Sequence, residues 1–155
     1  MNVPTPIAVE PKSLFSFNEI KVSYSCKQIG DQITNSLEAY DFLMKIWQNI
    51  DYEESFVIIL LNRGKKVIGI SRISVGSVSG TVADPKKVFQ TALAANASSI
   101  ILAHNHPSGS VRPSPNDELV TSKCKRAGHV LDLPITDHLI ITRQGYFSFA
   151  DQGML

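Results

Sequence analysis

Two histidines one residue apart, His104 and His106, close an apolar run and open a loop in the stretch "IILAHNHPSGSVRPSPND", Ile100 to Asp117. The chain holds four histidines in all, so the pairing of two of them needs a reason. Side chains at i and i+2 of an extended segment point to the same face, which sends both imidazoles toward one point at the end of a strand. Ligand crevices in open α/β sheets form at the C-terminal ends of strands, where the following loop lies. Asp117 falls in the first turn of the next helix, within reach of the same point. Two imidazoles and one carboxylate make a three-ligand set with room for water, the arrangement of hydrolytic zinc.

Each of these residues also has an ordinary reading. A lone histidine in a turn is more often a surface or core residue than a ligand, and any acid is favoured at a helix N-terminus. The spacing is what changes the weight. His104-x-His106, seven residues, Ser114, two residues, Asp117 is a set of four fixed positions, which coincide by chance in about one in a few thousand chains of this size.

The elements around this stretch have their own signals. "SFVIILLN" (Ser55 to Asn62) reads as a strand buried on both faces, joined through "RGKK" to a second strand, "VIGISRISV" (Val67 to Val75). Asp84 before Pro85 is a cap followed by a first-turn proline, and Val88, Phe89, Ala92 and Leu93 give the apolar face of a helix to about Asn96. "SSIILA" is a short buried strand. Ser114 caps a further helix with Pro115 in its first turn and Gly128 as its expected stop. "ITDHLIIT" and "YFSFA", joined by "RQG", form a final strand pair.

Upstream, "EIKVSYS" (Glu19 to Ser25) alternates as a half-buried strand does. From Thr34 to about Asn49, Leu37, Tyr40, Met44 and Trp47 mark the core face of a helix behind the capping candidates Thr34, Asn35 and Ser36. The proline-rich opening suggests an extended arm over 1–18, with a single domain over 19–155. Helices interleaved with strands, some hairpin-paired, predict an α/β domain whose mixed β-sheet is sandwiched between helices. The glycines of "SVGSVSGT" match no phosphate-binding pattern, although an exposed "SGTV" edge offers strand addition to an extended substrate.

A chain of 155 residues can bury a core without metal or disulfides as structural support, so a metal here would serve chemistry. Net charge is +1, which gives no footprint for nucleic acid or an anionic membrane. The first fifteen residues lack the pattern of a signal peptide, and no apolar run approaches a membrane span, so a cytoplasmic location is expected. Cys26 and Cys124 stand in no ligand spacing and read as small hydrophobes of a reducing compartment.

The HxH-x7-SxxD pattern resembles the metalloprotease signature of the JAMM, or MPN+, superfamily. "AHNHPSG…PSPND" with the later "DHLIIT" is more closely similar to its bacterial RadC-like branch, over most of the chain from about Ile20 onward. The resemblance implies a cytidine-deaminase-like (JAB/MPN) fold and one Zn²⁺ per chain held by His104, His106 and Asp117. It also implies an upstream glutamate as general base, which in the family precedes a buried strand as Glu-x-Phe. Glu54-Ser55-Phe56 supplies that motif here, with Glu53 as the near competitor. Ser114 falls where the family places a hydroxyl for the oxyanion, yet as a helix cap it would bond the Asp117 N–H. Asp137 and His138 are open to three readings: support of the ligands, contact with substrate, or a strand start. Asn105, Pro107, Ser108 and Gly109 shape the loop, with Asn105 facing away from the ligands. His129 is a favourable charge near a helix end.

The function implied is a zinc-dependent hydrolase of peptide or isopeptide bonds. Three other readings compete. A DNA-repair or DNA-processing role goes with the RadC name, but the segment ahead of the core has Gly30 as its sole glycine and lacks the Gly-rich hairpins of longer relatives. A metal-dependent nuclease would use the same activated water. A catalytically silent scaffold of the MPN type usually lacks the ligands that are present here. Two histidines and a carboxylate also hold ferrous iron in oxygenases, whereas the Ser and Glu positions favour hydrolysis.

Overall fold

The computed structural model describes residues 30–76 and 83–155. The expected arm over 1–18, the strand over Glu19 to Ser25, Cys26 and the "SGTV" edge lie outside the described residues. Within them the order is α1 (Ser36–Ile46), β1 (Ser55–Leu61), β2 (Val67–Val75), α2 (Pro85–Ala94), β3 (Ser99–Asn105), α3 (Pro115–Val130), β4 (Ile135–Thr142) and β5 (Gly145–Ser148).

The strands form one sheet in the order β2-β1-β3-β4-β5. Only β3 and β4 are parallel, and α3 makes the crossover between them; every other pair is antiparallel. Every residue of the central strands β1 and β3 is buried, as their unbroken apolar runs require. Alternation divides them between two cores. Ile58, Leu60, Ile100 and Leu102 pack with Val88 and Phe89 of α2 and with Val120 and Cys124 of α3. Val57, Ile59, Ile101, Ala103, Leu139 and Ile141 pack with Ala39, Phe42 and Leu43 of α1. The mixed sheet therefore lies between one helix and two, as the sequence predicts.

Three details differ from expectation. The deepest face of α1 is Ala39, Phe42 and Leu43; Tyr40, Met44 and Trp47 flank it half-buried, and Leu37 is 54% exposed. Leu93 is likewise outside the core. Gly128 does not stop α3, which runs on to Val130; it is buried because a Cβ there would lie 2.5 Å from the Leu133 carbonyl oxygen. Asn35, Asp84 and Ser114 cap their helices as read, each accepting a backbone N–H two or three residues on. Cys124 is a buried free thiol whose ionisation is pushed up to about 11 by burial, which suits an inert apolar role.

Candidate metal centre

His104, one residue before the end of β3, lies on the face shared by Ile100 and Leu102, the side covered by α2 and α3. A turn from His106 to Gly109, closed by the Gly109 N–H on the His106 carbonyl (3.0 Å), follows at once. Gly109 has φ +79°, a conformation a side chain would strain, so "HPSG" is turn chemistry in fact as in sequence. Asp117 then returns in the first turn of α3. A capping box holds it: the Ser114 N–H donates to Asp117 Oδ2 (2.7 Å) and the Asp117 N–H to Ser114 Oγ (3.2 Å).

The three expected ligands converge. His104 Nε2 lies 3.0 Å from His106 Nε2 and 3.2 Å from Asp117 Oδ1, and His106 Nε2 lies 3.7 Å from Asp117 Oδ2. Ligands at about 2.0–2.1 Å from a tetrahedral Zn²⁺ stand roughly 3.3–3.4 Å apart along the edges, so these separations already suit one ion. His104 is 2% exposed and Asp117 9% exposed, so the donors meet at the wall of the protein and not in open solvent. Among the described residues, this is the one cluster of His, Cys, Asp or Glu whose ligand atoms come together in this way.

Hydrogen bonds fix which ring nitrogens face that point. The Thr121 hydroxyl gives its only proton to the Asp117 carbonyl (2.6 Å), so His138 Nδ1, 2.6 Å from the same oxygen, must be the donor there. His138 Nε2 is then an acceptor, and the Nδ1–H of His104 donates to it (2.9 Å). His106 donates its Nδ1–H to the Ser110 carbonyl (2.7 Å). Both Nε2 lone pairs are left pointing at each other and at a carboxylate oxygen, an arrangement that a metal ion or a shared proton relieves. His138 thus supports a ligand, as one of its three readings has it. Asp137 does not: its carboxylate accepts from Ser148 Oγ, the Ala150 N–H and the His138 N–H, and it faces the α1 side.

The electrostatics agree. Burial pushes the Asp117 carboxyl up, but when His104 also carries a proton on Nε2 its hydrogen bond and charge, with the Ser114 bonds, outweigh this and hold the group well below the usual carboxylate range. His138, fully buried and beside His104, is held well below the usual imidazole range, which keeps it neutral.

Register separates the two glutamates. Phe56 of β1 is opposite His104 of β3, and their rings stack at 5.9 Å. The Gly76 N–H bonds the Glu54 carbonyl (2.7 Å) and carries the ladder one step beyond β1. Strand alternation continued back from Phe56 would carry Glu54 onto the His104 face and leave Glu53 out of phase. Glu54 and His106 line one cleft of about 640 Å³ with Tyr52, Glu53, Gly76, Pro107 and Ser108.

Two contributors escaped the sequence reading. Thr121, four residues after Asp117, closes the bond chain that orients His104. Asn105, read as loop-shaping, is fully buried and bonded to the segment that carries the glutamates. The signal for Asn105 was a polar side chain in an otherwise apolar buried strand, which must find partners.

The family profile described as a RadC-like JAB domain matches residues 33–154. The chain belongs to the RadC-like JAB domain family. The matched span of this RadC-like chain contains the whole described sheet and all three converging ligands. Relatives include a UPF0758 protein of Flavobacterium johnsoniae, 42% identical over 79% of this chain and 53% of the relative. A UPF0758 protein of Thermotoga maritima is 38% identical over 83% and 57%. UPF0758 protein YfjY of Escherichia coli is 35% identical over 83% and 80%. The chain spans about half the length of the first two. Family and cluster together fit a metal-dependent hydrolase. No helix among the described residues is long and apolar enough to cross a membrane.

Proposed function

We propose that this RadC-like domain is a zinc-dependent hydrolase of amide bonds in peptides or isopeptides. The observation that carries this reading is the convergence of two tautomer-fixed Nε2 lone pairs and a carboxylate, with His106 of that set and Glu54 lining one cleft. His104, His106 and Asp117 would hold the ion, which when bound supplies a water acidic enough to ionise near pH 7 and polarises the scissile carbonyl. Glu54 accepts the proton of the attacking water and returns it to the leaving amine. Ser114, whose oxygen accepts in the helix cap and whose hydroxyl also bonds the Asp117 carboxylate, would turn that hydroxyl proton to the developing oxyanion. Asp117 is kept ionised by its neighbours, and the buried, neutral His138 keeps the His104 proton on Nδ1.

The test combines metal analysis of protein purified without chelator with a hydrolysis screen over peptides, lysine isopeptides and plasmid DNA. About one zinc per chain and amide cleavage that is lost in Glu54→Gln support the reading. Folded protein indifferent to zinc overturns it, and DNA cleavage abolished by His104→Ala would replace it with a nuclease.

A further inference from the structure

Asn105 stands between the two histidine ligands, yet its side chain leaves on the opposite face of the sheet, in phase with Ile101 and Ala103. There it is 0% exposed. Its Oδ1 accepts the Ser55 N–H (2.8 Å), and its Nδ2 donates to the carbonyls of Ile50 (2.7 Å) and Glu53 (2.9 Å). Both amide protons are used on carbonyl oxygens, so the orientation is forced: the flipped amide would set oxygen against oxygen. These bonds grip the chain on each side of Glu54, at the carbonyl before it and the N–H after it. The Gly76 N–H takes the Glu54 carbonyl itself.

We infer that Asn105 is a positioning residue that sets Glu54 against the metal ligands, an inference that rests on the reading of Glu54 as the base. Asn105 and the base segment are 50 to 55 residues apart in sequence, Glu54 against Asn105 being 51. The two stretches of chain are joined here by backbone pairing and by one side chain rooted between the ligands. A shift of the 50–55 segment would leave His104, His106 and Asp117 where they are, because their own supports are Thr121, His138, Ser110 and Ser114. Loss of Asn105 should therefore separate metal binding from the placement of Glu54.

The variants are Asn105→Leu, similar in volume with all three bonds removed, and Asn105→Asp, which keeps the acceptor but sets a carboxylate against two carbonyls. Each is compared with Glu54→Gln and with the corresponding double variant. Zinc affinity should stay within about 3-fold of the native value, while amide exchange at Ser55 speeds up by about 10-fold or more. In Co²⁺-loaded protein, the pH dependence of the visible spectrum should move in the direction that Glu54→Gln moves it, and the double variant should match Glu54→Gln alone. If Asn105→Leu does not fold, Asn105→Asp carries the same comparison. A fall in zinc affinity of about 100-fold, or unchanged Ser55 exchange, makes Asn105 a general support of the fold and overturns the inference. A spectrum that Glu54→Gln moves and the Asn105 variants do not overturns the inference alone. A spectrum that Glu54→Gln leaves unmoved removes the base assignment and, with it, this inference.

Discussion

His104 Nδ1 lies 2.9 Å from His138 Nε2, a buried contact between imidazoles 34 residues apart in sequence. It is the last link of a chain that runs from the Asp117 carbonyl through the Thr121 hydroxyl and His138 to His104. Both ends of the chain are candidate ligand residues, so the support of one is referred to the backbone of another.

Removing an outer partner of a metal-bound histidine typically costs about 10–100-fold in affinity, and His138→Leu should fall in that range. Thr121→Val is the sharper case, because Thr121 touches no ligand side chain. Without its oxygen, His138 Nδ1–H has no acceptor and the opposite tautomer becomes competitive, which sets two N–H groups against each other at His104. Competition for zinc against a chromophoric chelator should show weaker binding in both variants, with Thr121→Val the milder. Unchanged affinity in both would disprove the chain.

The same histidine predicts a pH dependence of stability in the zinc-free protein. Burial holds His138 well below its ordinary range, so the unfolded chain takes up a proton that the folded chain refuses. Stability is then full above the unfolded value of about 6.5 and falls as pH drops below it, with a slope approaching 1.4 kcal/mol per pH unit for one proton. Asp117 adds a separate loss at lower pH: its depressed ionisation stabilises the fold above the ordinary carboxyl range and ceases to do so as acid titrates it. Urea unfolding at several pH values between 7.5 and 5 should reveal the first slope, and His138→Leu should flatten it.

Under the proposed function, Glu54 and not Glu53 is the base, although both line the cleft. Glu54→Gln should keep the metal and lower hydrolysis by about 10²–10⁴-fold, the usual share of a general base. Glu53→Gln changes a side chain that strand alternation would turn away from the candidate ligands, and kcat should stay within about 3-fold of native. Steady-state rates with metal content measured on the same samples decide it; a larger loss in Glu53→Gln would reverse the assignment.

What the sequence made legible follows from locality. The clustering of the three candidate ligands was readable because two of them stand at i and i+2 at the end of a strand and the third in a capped first turn, all set by short-range geometry. The layered α/β order was readable from unbroken apolar runs and from the Asp84 and Ser114 caps. Thr121 and Asn105 were not, because their roles depend on partners 17 and 50 or more residues away whose approach only the packed sheet defines. The α1 face was misjudged for a related reason: large side chains such as Trp47 were weighted above Ala39, whose smallness lets the helix lie close to the sheet.

Gly128 failed as a helix stop because its value lies in what it leaves out. A glycine inside an ordinary helix costs about 1 kcal/mol relative to alanine, so Gly128→Ala would stabilise α3 if local propensity alone decided. The chain turns back directly over this position: the Leu133 N–H bonds the Gly128 carbonyl (2.9 Å), and the Leu133 carbonyl oxygen would stand 2.5 Å from the new Cβ. The obstacle is backbone, which cannot swing aside as a side-chain tip can, and overpacking of this kind typically costs about 1–3 kcal/mol. The clash should win, so Gly128→Ala should lower the urea midpoint with little change in slope. Because Leu133 leads into β4 and β4 carries His138, zinc affinity should weaken in the same variant. A Gly128→Ala protein more stable than native would mean that the chain after α3 does not pass this close to the helix.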